Sequence, residues 1–243
     1  MRQPLSLLFT LALGLALLPA RGEARIVAGE VPPFVYTEKG AVKGVAADLV
    51  REMAKRVGHS GKIDVQPFTR MLETGKTETN VLLIPLGRNA AREASYQWVT
   101  GLVDEEFVLI GHASSKVDVS SFNPALTVGV MRDSVGAGIA KSKGFTKIED
   151  VVKEDMNAQK LANGRIDAWL AAWNSALQGQ RAAGLDAKQL KRGAVASRVS
   201  IYLGASLKFD KAEAETWKAA LEAMKKDGSF DRIVKSYGYE LPK

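Results

Sequence analysis

Apolar positions along this chain fall into short runs that alternate between helical and strand-like spacing, behind one long run at the start. Residues 5–18 are almost unbroken in apolar and small side chains, with Arg2 before them and Pro19, Ala20, Gly22 and Ala24 after them. A basic start, an apolar stretch shorter than the ~20 residues of a spanning helix and a small-residue end predict a cleaved export signal. Cleavage is expected after Ala24 in first place and after Ala20 in second. No later segment is apolar enough to span a bilayer, so the remainder is expected to be soluble.

The mature part opens with a strand-like run at 25–28 that leads into the turn-prone Pro32-Pro33. Residues 34–36 and the Lys39-Gly40 pair read as a short extended segment with a turn. From 47 to 57 the residues Leu49, Val50, Met53, Ala54 and Val57 recur at helical spacing. Arg51, Glu52, Lys55 and Arg56 take the opposite face, and Gly58 is placed to end the helix. Residues 63–65 predict a strand, and the continuous apolar run at 81–86 predicts a buried one.

A second unit is expected after the apolar run 107–110, set off by the polar stretch 114–121. It begins with a strand at 126–130, enters a helix-compatible stretch after 133–136, and continues with a helix near 156–162 and a strand at 166–170. Two helices close the chain. The first, at 212–224, places Trp217, Ala220, Leu221 and Met224 on one side; the last is marked by Phe230, Ile233, Val234 and Tyr237. Alternating strands and helices predict an α/β architecture.

Composition narrows the chemistry. With no cysteine in 243 residues, an exported protein has no disulfide, thiolate nucleophile or thiolate metal site, and no cysteine for a lipid anchor. The two histidines, His59 and His112, are far apart in sequence, so neither a metal nor another cofactor is expected. The net charge is +7, but acidic residues are interspersed throughout. It reads as a mild bias toward anionic solutes or as solubility alone, with no nucleic-acid role.

At this point the residues resemble a known family, the family 3 extracellular solute-binding proteins, periplasmic receptors of ABC importers best known for polar amino acids. The resemblance runs through Pro32-Pro33-Phe34 with Gly40, Gly44 and Asp48-Leu49, then Arg92-Glu93 behind Arg88-Asn89. It continues at Gly164-Arg165-Ile166-Asp167-Ala168 and ends at Asp227-Gly228-Ser229 with Ile233 and Tyr237-Gly238. It implies the type II periplasmic-binding-protein fold, two α/β lobes joined by two crossing segments near 107–113 and 200–207. Lobe 1 would combine 25–109 and 206–243, lobe 2 would be 110–205, and 1–24 the signal peptide. It also implies a monomer that closes its lobes on a small anionic or zwitterionic solute and meets a permease in the inner membrane.

The resemblance matches Arg92 to the arginine that grips a solute carboxylate, a task suited to the planar guanidinium fork. Arg88 either adds a second contact or pairs with Glu93 or Glu105. Ser134 matches a hydroxyl residue at the start of a second-lobe helix, where free N–H groups favour an anion, and it also suits a plain N-cap. Phe34 and Phe68, each in a lobe-one loop, are either cleft walls or core, as is Tyr36. Arg70 is an anion contact or a solvated loop arginine. Trp169 and Trp173, four apart, either reach the cleft or pack between elements.

One departure stands out. Amino-acid receptors of the family carry an acidic residue shortly after the Gly-Arg-Ile-Asp-Ala stretch, where it meets the solute's ammonium, and this chain has Ala172 there, followed by Trp173 and Asn174. Asn174 or a carbonyl would have to compensate, or the solute lacks an ammonium. The expected function is therefore a binding protein for an amino acid or other small carboxylate, not an enzyme, since no nucleophile–base pair has recognisable spacing. The alternatives are a cyclic-acid dehydratase on the same fold and a ligand sensor that signals to a membrane partner.

Overall fold

The computed structural model describes residues 22–242, so the expected signal segment lies almost wholly outside the described residues. The chain runs β1 (Arg25–Gly29), β2 (Tyr36–Glu38), β3 (Ala41–Lys43), α1 (Val45–Val57), β4 (Ile63–Gln66), α2 (Phe68–Thr77), β5 (Val81–Gly87) and β6 (Gln97–His112). It continues with β7 (Thr127–Met131), α3 (Val135–Ser142), β8 (Lys147–Val151), α4 (Glu154–Ala162), β9 (Ala168–Ala172), α5 (Trp173–Ala182), β10 (Leu190–Ala205), α6 (Lys211–Lys226) and α7 (Ser229–Ser236).

Eight strands form one sheet in the order β4-β1-β5-β10-β6-β9-β7-β8, and β2-β3 is a separate hairpin. At one end β1 pairs in parallel with β4 and β5; at the other β7 pairs in parallel with β8 and β9. Between these ends run β6 and β10, antiparallel partners of 16 residues each. At ~3.3 Å per residue such strands reach about 50 Å, enough to run through two lobes. The partner strand β5 leaves β10 at the Ile201–Gly87 pair, and β9 joins β6 at the Phe107–Ala172 pair. Residues 104–106 opposite 198–200 are therefore a two-stranded neck, slightly earlier in the chain than the crossings that the sequence suggests.

Each end of the sheet has its own core. In lobe 1, α1 buries Val45, Leu49, Val50 and Met53 against Trp217, Leu221, Met224 and Val234 from α6 and α7. Full burial of side chains of this size stabilises by ~1.5–3 kcal/mol each, which is how the chain's C-terminus completes its first lobe. On the sheet's other side α2 packs Met71 and Leu72 onto Leu83 and Tyr96. In lobe 2, Leu109, Val128, Val130 and Leu170 form one cluster, and Ile110, Leu161, Ile166 and Trp169 form a second across the sheet. All seven residues of β5 are buried, as its continuous apolar run predicts.

The helix α2 corrects a sequence expectation: Phe68 and Arg70 stand on its first turn, not in a loop. Its Thr-rich sequence with Gly75 has low helix propensity, yet Gly75 is required by packing. A Cβ there would lie 2.2 Å from the Leu83 side chain.

Candidate functional site

Three adjoining spaces lie between the lobes. The outer one, of about 600 Å³, is lined by Thr69, Lys76 and Asn89 from lobe 1 and by Arg132, Asp133 and Lys141 from lobe 2. The inner one, of about 40 Å³, is walled by Phe34, Phe68, Phe107, Met131 and Ile201, with Arg92, Ser134, Ala172, Glu154 and Ser175 among its polar and small residues. The third, of about 200 Å³, shares Met131, Glu154 and Ser175 with the inner space and adds Pro32, Tyr36 and Lys153.

Arg92 follows β5, and its 8 % exposure is low for an arginine. Its Nη1 donates to the Gly87 carbonyl at 3.0 Å, and its Nη2 donates across the cleft to the Asp133 carbonyl. The guanidinium lies 5.6 Å from the Phe68 ring centre, which holds its plane. Burial lowers its pKa from the usual arginine value, and these bonds use two of its five N–H donors, leaving three for an anion.

Ser134 caps α3: its Oγ accepts from the Ala137 N–H at 3.2 Å. The first turn of that helix presses on β9, since a Cβ on Gly136 would approach the Leu170 carbonyl to 2.9 Å. Ser134 and Val135 thereby bring a helix N-terminus to the inner space beside Arg92. The Thr69 Oγ1 donates to Asp133 Oδ2 at 2.9 Å, and Lys153 pairs with Glu30 at 3.3 Å. With the Arg92 bond, these contacts link the two lobes. The inner space, at about 40 Å³, is far smaller than the outer one.

The remaining sequence candidates divide. Phe34 and Phe68 line the inner space. Arg88 does not: it pairs with Glu93 at 2.5 Å and stacks between Trp98 and Tyr202, 5.3 and 5.4 Å from their ring centres. Arg70 is exposed on α2 and lines none of the three spaces. Trp173 turns to the far side of the neck, where it donates to Glu240 Oε2 at 3.0 Å and lies under Arg192. Trp169 is wholly buried in the lobe 2 core and touches the cleft only through its indole N–H, which donates to Glu154 Oε2 at 3.0 Å. Asn174 is also occupied elsewhere, between Glu105 and the backbone of Glu240.

Glu154 and Ser175 are cleft residues that sequence reasoning missed. The expected helix began at 156, which left Glu154 just outside it, and burial of a carboxyl beside another acid has no sequence signal. Desolvation raises the Glu154 pKa to about 7, against smaller lowering effects from Asn157 and Trp169.

Two lobes on a shared sheet, with a buried arginine and a helix N-terminus meeting in the cleft between them, define the class of two-lobed binding proteins. The chain matches the bacterial extracellular solute-binding proteins, family 3, over residues 25–240, and it belongs to that family. Its fold is similar to a histidine kinase sensor domain with similarity to periplasmic binding proteins (TM-score 0.81, 15% identity, 90% of this chain and 98% of that one). It is also similar to a mutant of ArgBP from T. maritima (TM-score 0.77, 19% identity, 90% and 96% covered). A third similar fold is an ancestral amino acid-binding protein, a precursor of cyclohexadienyl dehydratase (TM-score 0.74, 18% identity, 89% and 95% covered). No curated protein matches the chain by sequence. Among the described residues no helix is long and apolar enough to cross a membrane.

Proposed function

We propose that the protein is a periplasmic receptor that captures an amino acid or another small carboxylate between its lobes and presents the closed form to an ABC importer. Lobe 1 would combine 25–103 with 201–243 and lobe 2 would be 107–197, on either side of the neck, the first 24 residues being removed on export. The observation that carries this reading is Arg92: a buried guanidinium that reaches from one lobe to the backbone of the other, beside the N-terminus of α3. A solute carboxylate on that fork would touch both lobes, and a ligand with contacts in both shifts the population toward the closed form.

The test is a thermal-shift screen of amino acids, dicarboxylates and other small acids against the purified chain. A solute at 100 times its Kd stabilises by ~2.7 kcal/mol, or roughly 5–10 °C for a chain of this size. At least one small carboxylate is expected to give such a shift; a screen in which none does contradicts the reading. One observation favours a second function: a carboxyl held near neutrality in an apolar cavity, Glu154, suits general-acid catalysis. Product formed from cyclic acids incubated with the pure protein would favour a dehydratase over reversible binding.

A further inference from the structure

Resting on the carboxylate-receptor reading, we propose that Glu154, assisted by Ser175, is the cation anchor of the cleft, so that the solute is an acid that also carries an ammonium group. Glu154 is the first residue of α4 and lines both the space that holds Arg92 and the larger space beyond it. Arg92 comes from lobe 1 and Glu154 from lobe 2, so a positive and a negative group face one apolar-walled space from opposite lobes. A zwitterion is the ligand class that satisfies both.

The hydrogen bonding of Glu154 leaves it available. Asn157 Nδ2 donates at 2.8 Å and Trp169 Nε1 at 3.0 Å, both to Oε2. These two donors fix the carboxyl's orientation while neither uses Oε1. Among the described residues no lysine, arginine or histidine forms an ion pair with Glu154; its neighbour Lys153 is engaged by Glu30. A buried carboxylate without a cation is costly, and a bound ammonium would supply the missing charge.

Ser175 points the same way. It is 2 % exposed, its Oγ has no hydrogen-bond partner among the described residues, and it lines the same two spaces as Glu154. A buried hydroxyl left unpaired is costly. An ammonium brings three donors, enough for the carboxylate and this hydroxyl together.

The experiment compares matched pairs by calorimetry: L-leucine against isocaproate, L-phenylalanine against hydrocinnamate, and γ-aminobutyrate against butyrate. The wild type is expected to prefer at least one ammonium-bearing member by about tenfold or more. Glu154→Gln should remove that preference while affinity for the deamino acid stays within about threefold. A preference that survives Glu154→Gln overturns the proposal. Equal binding of both members by the wild type overturns it and leaves the carboxylate receptor standing; no binding of any acid, here or in the thermal-shift screen, overturns both.

A measurement on the wild type alone guards against a variant that misfolds. Around Glu154 stand Asp155 on the same helix, the Lys153–Glu30 pair and Tyr36 at the outer rim, and Arg92 across the inner space. Because the free carboxyl is partly protonated near neutrality, an arriving ammonium should expel a proton. Titrations near neutral pH in phosphate and in Tris should reveal release with the amino acid and none with its deamino partner. Equal proton release from both would also overturn the assignment.

Discussion

Glu105 lies in the neck, where its Oε2 accepts from Asn174 Nδ2 at 2.8 Å and from the Tyr239 hydroxyl at 3.0 Å. It thus joins lobe 2's α5 to the C-terminal tail, and burial outweighs these bonds in pushing its pKa up to about 7. A carboxyl whose folded pKa exceeds its unfolded one contributes stability that is complete below the unfolded pKa and is lost as pH rises through the folded one. Stability should therefore fall between about pH 5 and pH 8, by up to ~3 kcal/mol from this group, with Glu154 adding in the same direction, and the thermal midpoint should fall with it. Glu105→Gln should flatten that fall, and Tm measured across the interval checks it; an unchanged slope would contradict the assignment. At this scale the sequence was legible in part. Arg92 was legible in its place, five positions past the end of a buried strand and lining the inner space. Arg88 looked similar, but the carboxylate five residues on and two rings from distant strands claim it. Glu154 and Ser175 were illegible because burial of a polar side chain depends on neighbours far away in the chain.

Among the elements, α1 shows how a local signal can place the cleft. Gly44 precedes it with φ 125°, and a Cβ there would lie 2.2 Å from the Phe34 carbonyl. The Ala46 N–H donates to that same carbonyl at 3.0 Å, and the Gly44 N–H donates to the Tyr237 hydroxyl at 3.1 Å, whose own proton goes to Asp48. One glycine therefore ties the loop that carries Phe34 to the start of α1 and to the C-terminus. Gly44→Ala should cost about 2–4 kcal/mol in urea unfolding, from backbone strain and a displaced loop; a loss under about 0.5 kcal/mol would show that the loop is not held there. Helices with a clean apolar face, α1 and α6, were readable within two residues at each end, and Gly58 ends α1 in the left-handed conformation as expected. The helix α2 was missed because its packing requires a glycine that its propensity argues against. Strand β10 was largely missed because its outward half is polar and its register with β6 shifts repeatedly, which blurs the two-residue period.

In the whole molecule, two lobes were legible from the alternation of strands and helices together with the family resemblance. The neck was not, because it is set by where β5 and β9 stop pairing with the long strands. The cleft brings together groups that the sequence separates widely: Arg92 with Asp133, Thr69 with Asp133, and Glu30 with Lys153. Those contacts are few and lie around a small inner space, and on the proposed function a solute that engages both lobes would compete for them, the Arg92 contact included. The most direct test is calorimetric affinity of wild type and Arg92→Ala for the carboxylate that gives the largest thermal shift. Truncating one partner of a buried, hydrogen-bonded charge pair costs ~2–5 kcal/mol, so the account predicts a loss of about thirtyfold or more. An affinity within about threefold of wild type, under ~1 kcal/mol, would contradict it.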